Sequence, residues 1–180
     1  MSTVRTMKPF RFLLLLLVAM SFFTKSNAES LKAGDAAPAI SGVTETGAKL
    51  EFADVYKNGY TLVYFYPKAD TPGCTKQGCS LRDAYAELTK KGVTVIGVSH
   101  DDAAAQKAFK EKYHLPFTLI ADTDGAVVKA FGVPTIPLTS LASRQAYLVN
   151  KDGKIVWADY KASTEKQAQD VLAELAKLGV

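Results

Sequence analysis

Cysteine is scarce in this chain: Cys74 and Cys79 are the only two in 180 residues. Two thiols five positions apart make a poor structural staple. If both are helical, their Cα atoms lie roughly 8.7 Å apart, beyond the roughly 7 Å that a disulfide spans. A bridge closing so short a loop would also constrain the unfolded chain little. There is no Cys-x-x-Cys, the usual mark of a dithiol exchanger. Histidine is equally rare. His100 and His114 do not stand in metal-ligand spacing with the cysteines, so both read as capping or solvent-facing residues. Asp122-Thr-Asp-Gly125 begins like a calcium loop but lacks its later acidic ligands, and reads as a turn and helix cap. Trp157, the sole tryptophan, reads as core or sheet surface.

Long apolar runs and excess charge are missing too. The longest run, Phe12 to Phe23, is about a dozen residues, short of the roughly 20 that span a bilayer as a helix. Arg5, Lys8 and Arg11 precede it and Ser26-Asn27-Ala28 follows, which is the pattern of a signal peptide. No cysteine stands at that cleavage site for a lipid anchor. We therefore expect residues 1–28 to be a signal peptide, residues 29–180 a single domain, and the protein periplasmic or secreted. The formal charge of +4 belongs to that leader. Of 22 Lys and Arg residues, four (Arg5, Lys8, Arg11, Lys25) precede residue 29, leaving 18 against 18 Asp and Glu. Such a balance gives no basic face for nucleic acid or an anionic membrane. Internal repeats, low-complexity tracts and domain linkers are absent.

What is present centres on Tyr64-Phe-Tyr-Pro-Lys-Ala-Asp-Thr-Pro-Gly-Cys-Thr-Lys-Gln-Gly-Cys79. A β-branched and aromatic run, Tyr60 to Tyr66, reads as a buried strand that Pro67 closes. Thr71-Pro-Gly then starts a helix with Cys74 in its first turn. Free backbone N–H groups and the positive end of the helix dipole converge there and favour the thiolate, the reactive form of cysteine. This is a reactive-thiol site.

The same residues resemble the Pro-x-x-x-Thr-x-x-Cys signature of peroxiredoxins, at Pro67, Thr71 and Cys74, with Gln77 as a further match. A second cysteine five positions on is similar to the bacterioferritin-comigratory, or peroxiredoxin Q, branch. The resemblance extends from about Ala36 to the last helix. It implies an α/β, thioredoxin-like fold of the peroxiredoxin type, and a thiol peroxidase acting on hydrogen peroxide and organic hydroperoxides. Cys74 would attack the peroxide and Cys79 would resolve the product as an intramolecular disulfide. Thr71 and Arg144 would organise the peroxide, Arg144 because Arg-Gln-Ala-Tyr-Leu-Val resembles the family's arginine strand. Pro67 would shield the sulfur. An external dithiol reductant similar to thioredoxin would complete the cycle, with no metal, haem or flavin. We expect a monomer or weak dimer. The loop Pro134 to Ser143 departs from the Gly-Lys-rich stretch common before the arginine in this branch. Two other readings compete: a copper-handling thioredoxin-like protein, whose cysteines would be four apart with a distal histidine, and a disulfide oxidoreductase acting on proteins.

The remaining pattern predicts a leading loop and short hairpin over 32–52, and a helix from about Cys74 to Lys91 with Leu81, Ala84 and Leu88 inward. A strand Val93–Ser99 follows, then a helix capped by Asp101 or Asp102 with Ala105, Phe109 and Tyr113 on one face. A strand Phe117–Ala121 and a short helix over 125–131 come next. Strands 144–149 and 154–158 join through Asn150-Lys-Asp-Gly153, and a last helix spans Ser163 to Leu178 with Ala168, Val171, Leu172, Leu175 and Leu178 buried. That order suits a mixed central sheet with helices on both faces. Gln77 reads as a helix-surface or local hydrogen-bonding residue, and Tyr64 and Tyr66 as packing residues.

Overall fold

A computed structural model of the chain describes residues 29–180; the expected signal peptide lies outside the described residues. Five strands form the central sheet: β3 (Tyr60–Phe65), β4 (Val93–Ser99), β5 (Thr118–Ala121), β6 (Gln145–Val149) and β7 (Ile155–Asp159), in the order β5-β4-β3-β6-β7. β3, β4 and β5 run parallel, while β6 and β7 run antiparallel to their neighbours, so the sheet is mixed. A separate hairpin, β1 (Ser41–Val43) with β2 (Lys49–Glu51), fits the expectation for residues 32–52.

Both faces of the sheet are covered, which is why its strands read as continuous apolar runs rather than alternating ones. Along β3, Leu62 and Tyr64 point into one core, where Leu81, Leu88, Phe109, Val171 and Leu175 meet them. Val63 and Phe65 point into the other, against Phe52, Tyr56, Val127 and Phe131. Helices α2 (Pro72–Asp83), α3 (Tyr85–Lys90), α4 (Ala103–Tyr113) and α6 (Gln167–Lys177) contribute to the first core, α1 (Phe52–Tyr56) and α5 (Ala126–Ala130) to the second.

Three expectations need correcting. The helix predicted over 74–91 is two helices: Ala84, at φ −97° and ψ 6°, breaks it. The break lets α2 lie against α6 while α3 turns onto β4, so the two halves serve different neighbours. The last helix begins at Gln167 rather than Ser163; Ser163 Oγ accepts from the N–H groups of Glu165 and Lys166 in the turn that precedes it. Leu178 sits just past that helix and is exposed, so it is not part of the buried face. The short α1 is new, since five residues are too few for helical periodicity to register. Asp102 is the α4 cap, its Oδ1 accepting from Ala105 N at 2.8 Å.

Candidate active site

The site lies at the carboxyl end of β3, and the sheet register explains why distant residues meet there. Phe65 of β3 pairs with Gln145, the first residue of the antiparallel β6, and with Val98 near the end of β4. Arg144 and Ser99 are therefore delivered to either side of the segment in which β3 gives way to α2.

That segment is built for a sharp start. Asp70 sits at φ +56° and is held by Lys112 Nζ, at 2.7 and 2.9 Å, and by Tyr113 Oη at 2.6 Å, all from α4. Thr71 is extended at the N-cap, and Pro72 at the first helical position presets φ. The first turn closes with Thr75 N donating to Thr71 O at 2.8 Å. Gly73 and Cys74 thus have N–H groups with no acceptor inside the helix, and among the described residues no side chain caps them. Thr71 Oγ1 turns instead toward Lys68 O, to which it donates at 2.9 Å.

Cys74 is buried, 2 % exposed, and Arg144 Nη2 donates to its Sγ at 3.3 Å. A fixed positive charge and the helix dipole both face the sulfur, an arrangement that favours an anion there. Arg144 in turn donates through Nη1 to Gln77 Oε1, and Gln77 Nε2 donates to Gln167 Oε1 at the start of α6. The amide orientations are forced: the guanidinium can only donate, so Gln77 must offer its oxygen to Arg144 and its nitrogen to Gln167. Gln167 Nε2 is left buried without a partner among the described residues. Gln77 is 0 % exposed, which corrects the reading of it as a helix-surface residue. Gln167 was missed outright; only a side chain 90 positions away gives it meaning.

Cys79 is half-buried one and a half turns further along α2, and both cysteines are free. At helical spacing the two sulfurs cannot bond unless α2 unwinds. Pro67 is half-buried between Tyr66 and the loop that carries Thr71. Tyr64 and Tyr66 are buried and stacked, with ring centroids 5.5 Å apart, and burial drives both phenols well above the ordinary tyrosine range, so they stay neutral beneath the thiol. His114 faces solvent at the end of α4, as expected. His100 does not: its Nε2 is buried near Gly125, without a partner among the described residues. Asp122 accepts from Val127 N and Val128 N at 2.9 and 2.8 Å, a helix-start role.

Comparison with known proteins agrees with this geometry. The profile of the AhpC/TSA family matches residues 33–158. The chain belongs to the AhpC/TSA family. Peroxiredoxin Q, chloroplastic, of Oryza sativa subsp. japonica is 40 % identical over 145 residues, 81 % of this chain and 65 % of that protein. The chain therefore spans just under two thirds of the rice relative's length. The putative peroxiredoxin bcp of Coxiella burnetii is 45 % identical over 104 residues, 58 % of this chain and 68 % of that protein. Among solved structures, the bacterioferritin comigratory protein of Xanthomonas campestris superposes with a TM-score of 0.74 at 27 % identity, covering 81 % of this chain and 100 % of that one. Its structures were determined to explain alkyl peroxide reduction activity in that protein. The expected resemblance to the peroxiredoxin Q branch and the thioredoxin-like fold of the peroxiredoxin type are both borne out.

Proposed function

We propose that the protein is a thiol peroxidase that reduces hydrogen peroxide and organic hydroperoxides and is recycled by an external, thioredoxin-like dithiol. The observation that carries the reading is Arg144 Nη2 at 3.3 Å from a buried Cys74 Sγ at a helix N-terminus. The Cys74 thiolate attacks one peroxide oxygen, forming an S–O bond as the O–O bond breaks. The departing oxygen leaves as hydroxide or alkoxide and takes up a proton, giving water or an alcohol and a sulfenic acid on Cys74. Arg144 and the Gly73 and Cys74 amides offset charge on the two oxygens, where fixed donors lower the barrier most. Thr71 has committed its hydroxyl proton to Lys68 O, so it meets the peroxide O–H as an acceptor. Pro67, with no N–H of its own, limits access of water to the sulfur.

After α2 unwinds, the Cys79 thiol displaces hydroxyl from the sulfenic acid, releasing water and forming the Cys74–Cys79 disulfide. The dithiol partner then returns both thiols. The family to which the chain belongs and the alkyl peroxide activity of its Xanthomonas neighbour support this cycle. Residues 1–28 have the pattern of a leader, and we place the working enzyme outside the cytoplasm on that basis; the rice relative, by its name, is also a protein sent to a separate compartment, the chloroplast. The test is peroxide-dependent oxidation of dithiothreitol by residues 29–180. Turnover that disappears in Cys74→Ser is expected. Peroxide consumption no faster than the uncatalysed reaction would end the proposal.

A further inference from the structure

Thr71 owes its acceptor role to a peptide unit that something else must hold. Its hydroxyl donates to the carbonyl of Lys68, and the N–H on the other side of that same peptide plane, Ala69 N, donates to Asp101 Oδ2 at 2.7 Å. Asp101 lies beyond the end of β4, 30 positions after Thr71, and nothing in the family signature contains it. Its carboxylate is the terminus of a chain of hydrogen bonds whose directions are all determined. Tyr66 Oη donates to Gln106 Oε1. Gln106 Nε2 then donates to Ile120 O at 2.9 Å and to Ser99 Oγ at 2.8 Å. With its oxygen occupied as an acceptor, Ser99 sends its one proton to Asp101 Oδ2 at 2.6 Å. Gln106 and Ser99 are fully buried, so the links from Tyr66 through Gln106 to Ser99 are shielded from water, which would otherwise compete for them, while Asp101 itself is half-buried.

We propose that Asp101 is a positioning residue for the peroxide reaction, fixing the Lys68–Ala69 peptide so that Thr71 presents a lone pair, not a proton, to the incoming peroxide. A carboxylate beside the N–H polarises that peptide, and its carbonyl becomes a better acceptor for the Thr71 hydroxyl. Without it the peptide is free to rotate, Lys68 O leaves Thr71, and the hydroxyl can turn its proton toward the substrate oxygen it should accept from. The sulfur, Arg144 and Gln77 are untouched by this change, because Asp101 reaches none of them. Toward the peroxide Asp101 acts through the peptide and Thr71; on its other side it accepts from Ser99, and alkylation of Cys74, which does not use Thr71, separates the two routes.

The inference rests on the peroxidase reading, and one experiment distinguishes their failures. Cys74 oxidation by hydrogen peroxide is followed by stopped flow in Asp101→Ala, Asp101→Asn, Thr71→Val and the double variant Asp101→Ala/Thr71→Val, alongside alkylation of Cys74 by iodoacetamide. The loss of one well-placed hydrogen bond leads us to expect Asp101→Ala to slow peroxide oxidation by about tenfold or more. Alkylation, which does not use Thr71, stays within about threefold of wild type. Asp101→Asn keeps an oxygen able to accept from Ala69 N and returns to within about threefold. In the Thr71→Val background, Asp101→Ala produces no further loss. Should Asp101→Ala fail to fold, Asp101→Glu, which displaces the carboxylate by one methylene, reads the same coupling. If wild type reacts slowly with peroxide, the peroxidase reading fails. If wild type is fast, the inference is overturned by any of three results: unchanged oxidation in Asp101→Ala, equal losses in oxidation and alkylation, or additive losses in the double variant.

Discussion

Disulfide formation requires α2 to leave its place, so whatever fastens α2 should set the rate at which Cys79 reaches the oxidised Cys74. The buried fastening is Gln77 to Gln167; the Lys76–Glu165 ion pair nearby is exposed and contributes little. Replacing Gln167 by Met keeps the volume, which avoids a cavity. It also keeps the number of orphaned donors constant, since Gln77 Nε2 loses its partner as the unpaired Gln167 Nε2 is removed. What remains is the net worth of one neutral buried hydrogen bond, about 0.5–1.5 kcal/mol. If unwinding precedes the chemistry, that amount raises the disulfide-forming rate roughly two- to tenfold. Peroxide attack should hold near the wild-type rate, because Gln77 still faces Arg144. Gly78→Ala should act in the opposite direction. Its new methyl meets Leu115 at 3.4 Å, an ordinary contact, and the helix gains up to about 1 kcal/mol, slowing resolution about fivefold. The assay is rapid acid quench after one equivalent of peroxide, with intact mass counting sulfenate and disulfide at each time. Equal disulfide rates in Gln167→Met and wild type, with unchanged amide exchange over residues 72–82, would refute the latch.

Arg144→Met should reduce the rate of Cys74 oxidation by about 10²–10³-fold, the usual loss when a fixed donor to developing charge is removed. Arg144→Lys should recover less than about tenfold of it, since one ammonium cannot serve Cys74 and Gln77 as a planar fork does; stopped-flow traces of the two variants check both. A third expectation concerns acid. Burial pushes the Glu45 carboxyl up, but the bonds from Lys110 Nζ at 2.5 Å and Leu119 N at 3.0 Å outweigh it and hold the group below its ordinary value of about 4.5. A lowered folded-state value means stability that is present above pH 4.5 and lost as the pH falls through the folded-state value. Urea melts between pH 6 and pH 3 should therefore show a shallower acid loss in Glu45→Gln than in wild type, and parallel slopes would contradict this assignment.

Much of the site was legible because it is local. Strand, turn, proline and first-turn cysteine all fall between Tyr60 and Cys79, where propensity and tertiary structure agree. Arg144 was found only through its resemblance to a family strand. The physical reason for its arrival, the antiparallel pairing of Phe65 with Gln145, is a register that periodicity does not carry. The α2–α3 break at Ala84 was hidden for a related reason: Leu81, Ala84 and Leu88 satisfy one helical stripe whether or not the helix bends. Gln77 looked like a surface residue because a polar side chain on an amphipathic helix usually is one. Its burial depends on Arg144 and Gln167, both distant in sequence, and the same holds for Asp101, whose partner is a backbone N–H 32 positions away.

The most direct test of the account is to mix fully reduced residues 29–180 with hydrogen peroxide in a stopped-flow instrument and weigh the products, using wild type, Cys74→Ser and Cys79→Ser. The account expects a fast loss of two hydrogens in wild type, no fast reaction in Cys74→Ser, and a sulfenate that persists in Cys79→Ser. Oxidation in all three at the slow rate of an ordinary thiol would contradict it.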